Sequence, residues 1–323
     1  MKFTRFVAAL ALMLAGAAAA SADEFPVTLT HKFGTTTIDK QPERVVSLGF
    51  SGIDNLLALG VKPVAVRYWY GDYEYAAWPW AQDALGDAKP AVLRGDINIE
   101  QIAALQPDLI VAISSGITPE QYDLLSQIAP VVASEKQYGD YGTPWQAHVQ
   151  AVAKAIGKTE EGDAAIKAIE DRFAQIRAAH PDWAGKSAAV GFYWNDAPGA
   201  YRSKDIRPRM LEALGFKTPE AIDSAGNDPT AFFVSLSAED LSPLDTDLLI
   251  WFDDEGKVET LKLRPAMRAF KEGREIFPDD ILSGAFSYSS LLSINYALDH
   301  LVPLIEAAVD GDPATVVADK RAQ

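Results

Sequence analysis

Two stretches of the chain, 139 residues apart, carry one pattern, and that duplication narrows the possible folds more than any other feature. The first reads Ile99-Glu100-Gln101-Ile102, then Pro107-Asp108-Leu109-Ile110-Val111. The second reads Ala238-Glu239-Asp240-Leu241, then Thr246-Asp247-Leu248-Leu249-Ile250. In each, a Glu stands eight residues before an Asp that opens an apolar run. A short helix with an acid in its first turn, where the helix dipole favours negative charge, would feed a buried strand. A second echo lies upstream. Leu56-Leu57-Ala58-Leu59-Gly60-Val61-Lys62-Pro63 matches Leu211-Glu212-Ala213-Leu214-Gly215-Phe216-Lys217-Thr218-Pro219. Both predict a helix ended by a left-handed glycine, with proline blocking continuation. Two motifs in the same order predict two similar α/β lobes.

The other apolar runs fit that plan. Arg44 to Leu48, Val64 to Val66, Leu109 to Ile113 and Val131-Val132 predict short buried strands in the first half. Ala188 to Tyr193 and Leu248 to Phe252 do so in the second. Helical segments between them predict parallel sheets covered on both faces. Between the halves, 145–182 reads as a linker helix. Val149, Val152 and Ile156 share one face, and Ile166, Ile169, Phe173 and Ile176 continue it past Gly157-Lys158-Thr159, until Pro181 closes the segment. The chain divides into 1–22, a lobe over 23–144, the linker 145–182 and a lobe over 183–323.

The first 22 residues read as an export signal. Lys2 and Arg5 precede an apolar run from Phe6 to Ala20, and Ala20-Ser21-Ala22 supplies a small-x-small cleavage site. The run is short for a membrane span, which needs about 20 apolar residues. Cleavage leaves 27 bases against 45 acids, a charge of −18. Such an acidic chain is a poor partner for nucleic acid. It contains no cysteine, which excludes disulfides, thiolate metal sites and a cysteine nucleophile. A lipid anchor on a cysteine is likewise not expected, and the mature product should be free in a periplasm.

Enzyme chemistry is thinly represented. The four histidines, His31, His148, His180 and His300, do not fall at metal-ligand spacing and read as structural. Gly49-Phe50-Ser51-Gly52-Ile53 follows a strand like a hydrolase elbow, but Ile53 replaces the last glycine. A serine hydrolase using Ser51 is therefore a remote alternative. Binding features are richer. From Gly60 to Glu100 is 40 residues, against 24 from Gly215 to Glu239. The extra length holds Tyr68 to Trp80, in which seven of 13 residues are aromatic without helix or strand period. It reads as one wall of a ligand cleft, or else as a loop with its own small core. Arg67, Arg94 and Arg202 lie at loop positions that follow predicted strands or precede predicted helices, where open α/β sheets bind ligands. Guanidinium groups there suit carboxylate, hydroxamate or catecholate oxygens.

Taken together, the Glu-x7-Asp repeats, Arg44-Val45-Val46-Ser47-Leu48, the linker helix and the export signal resemble the periplasmic substrate-binding proteins of iron–siderophore, haem and cobalamin ABC importers. The resemblance runs from about Gln41 to Ile305, and Leu93-Arg94-Gly95-Asp96-Ile97-Asn98-Ile99-Glu100 is its most specific piece. It implies two Rossmann-like lobes joined by a single long α-helix (class III), a shallow cleft between them, and no catalysis. It implies a monomer that carries a ferric siderophore to a membrane permease, with no cofactor of its own, since the chelator supplies the iron ligands. Arg94 matches an arginine that contacts the siderophore in hydroxamate binders. Arg67, Trp69, Tyr70, Tyr201, Arg202, Phe233, Phe286 and Tyr288 fall near other contact positions. Glu100 and Glu239, one per lobe, match glutamates that dock on permease arginines. Haem or a corrinoid is the alternative cargo, and Arg94 tilts the choice towards an oxygen-rich iron chelate.

Overall fold

The structure is a computed structural model that describes residues 25–228, 230–253 and 255–322. The expected leader, 1–22, lies outside the described residues. Strands β1 (Val27–His31) and β2 (Gly34–Ile38) form an antiparallel hairpin. The first lobe then alternates β3 (Val45–Ser47), α1 (Gly52–Ala58), β4 (Ala65–Arg67), α2 (Pro79–Leu85), β5 (Ala91–Leu93), α3 (Ile99–Ala104), β6 (Leu109–Ala112), α4 (Pro119–Ser126) and β7 (Val131–Ala133). Its sheet is parallel throughout, in the order β5-β4-β3-β6-β7. That is a doubly wound sheet whose strand order reverses at β3, so a crevice opens beyond the carboxyl ends of β3 and β6.

The linker is two helices rather than one. Helix α5 (Trp145–Ala155) ends before Gly157, which turns the chain at φ +71°. Helix α6 (Thr159–Ala179) starts again and packs back on α5, with Gly162 close against Ala153. The apolar face read across the break is real on both sides, since Val149, Val152, Ile166, Ile169 and Phe173 are all buried. Both helices bury that face, but in different directions. The long helix is therefore α6 alone, 21 residues or about 30 Å, and α5 packs against α1 and β1 of the first lobe.

The second lobe comprises β8 (Ala188–Trp194), β9 (Ala197–Tyr201), α7 (Ile206–Ala213), α8 (Glu220–Asp223), β10 (Phe233–Ser235), β11 (Leu248–Phe252), α9 (Arg268–Lys271), β12 (Glu275–Ile276), α10 (Asp280–Tyr288) and α11 (Leu291–Val309). Its sheet has the order β10-β9-β8-β11-β12 and is not purely parallel: β9 pairs antiparallel with both β8 and β10. Asn195 and Asp196, both at positive φ, make the tight turn from β8 into β9. A second difference concerns Glu239. Around it the chain makes a turn, and only Ser242–Leu244 form one 3-10 turn. Asp240 Oδ1 accepts from Ser242 N–H and Oγ–H, a local bond that competes with helix.

The duplicated aspartates do the same work twice. Asp108 accepts from the backbone N–H groups of Glu43 and Arg44 at 2.7–3.1 Å, just ahead of β3. Asp247 accepts from Ser187 N–H and Oγ–H at 2.9 Å, just ahead of β8. Each carboxylate thus clamps the entry to the central strand of its sheet. Gly60 and Gly215 stand at φ +75° and +109°, where a side chain would be strained, and close α1 and α7 alike.

Helix α11 joins the lobes a second time. It packs on α1, α2 and α6 as well as on β11 and β12. At its start, Ser290 Oγ donates to Asp54 Oδ2 at 2.6 Å, and Leu291 N–H donates to Asn55 Oδ1 at 3.0 Å. One apolar cluster runs unbroken from Leu29 in β1 through Phe173 in α6 to Ile305 in α11.

Candidate functional site

Two cavities open between the lobes and a third adjoins them on the second lobe; Tyr201 at the end of β9 borders all three. The first, about 330 Å³, lies where the doubly wound sheet places its crevice. Phe50 and Ser51 after β3, Trp69 after β4, Ser114 after β6 and Tyr141 form its first-lobe side. Tyr201, Arg207, Phe232 and Phe233 face them from the second lobe, with Tyr288 and Ser289 at the α10–α11 junction. The second cavity, about 490 Å³, is bordered by Tyr70, Tyr73, Trp78, Arg207 and Asp280. The third, about 310 Å³, lies over Phe192, Phe233 and Phe252.

The aromatic loop both builds a small core and forms a wall. Trp78 is buried and stacks on Trp80 at 4.8 Å between centroids, while Trp69 and Tyr70 turn towards the cavities. Tyr288 knits the two parts together, with ring centroids 5.3 Å from Trp69, 5.9 Å from Tyr70 and 5.5 Å from Trp80. Burial pushes its phenol well above the ordinary tyrosine pKa, and nearby Asp54 adds to the shift. It is therefore an uncharged hydroxyl at any physiological pH. Ser289, next in the chain, holds a left-handed conformation at φ +46°, the kind of local strain that surrounding packing must maintain.

Charge enters the main cavity from the second lobe. Asp205 caps α7, accepting from Arg207 N–H at 3.0 Å. Its carboxylate also takes Arg207 Nη1 at 3.0 and 3.2 Å, while Arg207 Nε donates to Ser287 Oγ at 3.1 Å. The guanidinium lies 4.1 Å from the Tyr201 ring centroid. Burial works against its charge, but Asp205, Tyr201 and Tyr70 together outweigh burial and hold the Arg207 pKa above the ordinary value. The result is a rigid, permanently charged donor presented to the cleft. His148 from α5 reaches the same cavity; burial drops its pKa to about 4, so it is neutral at pH 7. Ser51 lines the cavity too, yet no hydrogen bond joins it to His148 among those of the described residues. Among the described residues there is no group of three or more His, Asp or Glu placed to hold a metal ion.

The family model for periplasmic binding proteins matches residues 45–280. The chain belongs to that family. A periplasmic solute-binding protein of Mycobacterium smegmatis has the same fold at a TM-score of 0.77, with 34% identity over 88% of this chain and 98% of that one. The structure of Streptococcus pneumoniae PiaA in complex with ferrichrome is similar at a TM-score of 0.73 and 29% identity, covering 88% of this chain and 99% of PiaA. The Bacillus subtilis protein YfiY, described as a probable siderophore-binding lipoprotein, is 29% identical over 290 residues, 85% of this chain and 86% of its own. Within the family these are substrate-binding proteins of transport rather than enzymes.

In this binding protein Trp69, Tyr70, Tyr201, Phe233 and Tyr288, five of the nine candidate contacts, line the cleft. Four other expected contacts lie elsewhere. Arg202 is buried, its guanidinium donating to the carbonyls of Ala225 and Asp228, so it holds the loop before β10 and does not line the cavities. Phe286 is buried in the core, edge-on to Phe252. Arg94 is exposed, 3.9 Å over the Tyr68 ring, and borders none of the three cavities. Arg67 stands one layer back, bonded to the Ser115 carbonyl and stacked 4.5 Å behind Phe50. Sequence reasoning missed Arg207. Its signal was the capping Asp205 at the strand-to-helix junction, because a first-turn residue there points over the sheet edge.

Proposed function

We propose that this periplasmic binding protein captures a ferric siderophore outside the cytoplasm and hands it to an ABC-type permease of the inner membrane. The observation that carries this reading is the aromatic cleft between the lobes with one fixed guanidinium, Arg207, at its centre. A hexadentate chelator fills the iron coordination sphere itself, so a carrier needs ring surfaces and hydrogen-bond donors rather than metal ligands. The siderophore named for YfiY and the ferrichrome bound to PiaA support the same reading. We take the mature chain, after a cleaved leader, to be a freely diffusing monomer. YfiY is a lipoprotein, but this sequence has no cysteine to carry a lipid.

Glu100 and Glu239 are exposed and follow β5 and β10, the equivalent edge strands of the two sheets. We assign them to permease docking; replacing both with alanine should leave ligand affinity unchanged and abolish most uptake. Titration with ferric siderophores tests the main reading. Trp69 lies on the cavity wall, so its fluorescence should quench as an iron chelate binds. No response to hydroxamate, catecholate or citrate chelates would overturn it.

A further inference from the structure

The charge of the cleft selects among iron chelates. Of the described side chains that border the three cavities, one is cationic, Arg207, and four are anionic: Asp72, Asp205, Asp280 and Glu255. Arg207 is already paired with Asp205. The cations behind the walls are also engaged. Arg67 bonds to the Ser115 carbonyl and faces Asp96, and Lys257 pairs with Glu255 and Asp196. Arg94 lies over Tyr68, and Lys204 lies 5.8 Å from Phe232.

Two further residues that line the main cavity are polar: His148 Nε2 and Thr143 Oγ1 are buried without a hydrogen-bond partner among the described residues, and both residues are more than nine-tenths buried. Unpartnered buried polar atoms are costly, so a ligand that reaches them gains what the protein lacks. The second cavity sets Asp72 and Asp280 among the rings of Tyr70, Tyr73 and Trp78; Arg207 also borders it but is paired with Asp205, so the two carboxylates and the ring faces favour positive charge there.

Three catecholates, each a dianion, leave a ferric complex a trianion. Three hydroxamates, each a monoanion, balance the ferric ion, and an appended ammonium makes the complex a monocation. We propose that the cargo is a ferric tris-hydroxamate of zero or single positive charge, seated against the rings with Arg207 donating to its oxygens and any cationic appendage in the Asp72–Asp280 cavity. This rests on the siderophore reading above.

The test is a binding panel on the purified protein at low and at physiological salt. Its probes are ferrichrome (neutral), ferrioxamine B (one ammonium), a ferric tris-catecholate trianion and ferric dicitrate. The tris-hydroxamates should bind roughly a hundredfold or more tighter than either anion. The pair Asp72→Asn and Asp280→Asn should weaken ferrioxamine B about threefold to tenfold more than ferrichrome at low salt, and that difference should vanish as salt screens the rim. An anionic chelate that matches or beats ferrichrome would overturn the charge selection while leaving the carrier role intact. Failure of every chelate to bind would overturn both.

Discussion

The two lobes share their scaffolding and differ in what they present to the cleft. Asp108 and Asp247 clamp the central strands, and Gly60 and Gly215 end the helices that follow them. At the cleft the likeness stops. The first lobe turns Phe50, Trp69 and Tyr141 to the main cavity and no charged side chain, whereas the second supplies Asp205 and Arg207. The buried ionisable groups diverge in the same way. In the second lobe two such pairs form, Arg207 with Asp205 and Arg264 with Glu275 at 2.9 Å, while buried Arg202 and Asp253 are held by backbone groups. On the first-lobe side Asp54 and His148 are buried without a countercharge. What recurs solves a backbone problem that every such lobe has. What differs faces the ligand or the other lobe.

The clamps offer the largest effect. Asp247→Ala should destabilise the protein by roughly 2–4 kcal/mol, and Asp108→Ala by roughly 1–3 kcal/mol, read from urea midpoints. The first is ranked higher because Asp247 also takes Arg268 at 2.9 Å. Burial raises the Asp247 pKa, but Ser187 and Arg268 outweigh it and hold the carboxyl below its usual range. Its contribution is thus present at neutral pH and lost as the pH falls through the acid range. A costlier Asp108→Ala would break the ranking.

These clamps also show why part of the molecule could be read from sequence. A buried backbone end must be satisfied locally, so Asp before an apolar run and Gly after a helix leave marks at fixed spacing. The Glu239 helix was misread because Asp240 and Ser242 bond to each other instead. The direction of a cleft side chain is set by remote packing. Arg202 and Arg207 are five residues apart, yet the loop before β10 captures one and Asp205 aims the other at the cavity.

That difference between arginines predicts the next effect. Arg207→Met should weaken ferric siderophore binding at least tenfold, about 1.4 kcal/mol, because the lost donors are charged and fixed. Arg94→Ala should change it by less than about threefold, since Arg94 stacks on Tyr68 outside the cavities. Calorimetric titration of both variants checks the contrast, and the reverse order would return the binding role to Arg94.

The last effect concerns the two groups without a countercharge, whose pH linkages oppose each other. Burial raises the Asp54 pKa to about 6, even though Ser290 and Trp80 donate to it. Its favourable contribution is complete below the unfolded pKa of 3.8 and is lost as the pH rises through about 6. Burial lowers the His148 pKa from 6.5 to about 4, so its contribution is complete above 6.5 and is lost as the pH falls towards 4. Between those limits the two slopes offset, and the parent protein should be nearly flat in stability across that range. Asp54→Asn keeps an acceptor for Ser290 and removes the charge. It should gain roughly 1–2 kcal/mol at pH 7.5 and lose stability on acidification to pH 4.5, exposing the histidine's slope. His148→Gln should do the opposite, becoming more stable as the pH falls. Urea midpoints at the two pH values decide the matter: if both variants keep the parent's flat profile, the pH response does not reside in these two groups, and their lack of a countercharge on the first-lobe side has no energetic weight.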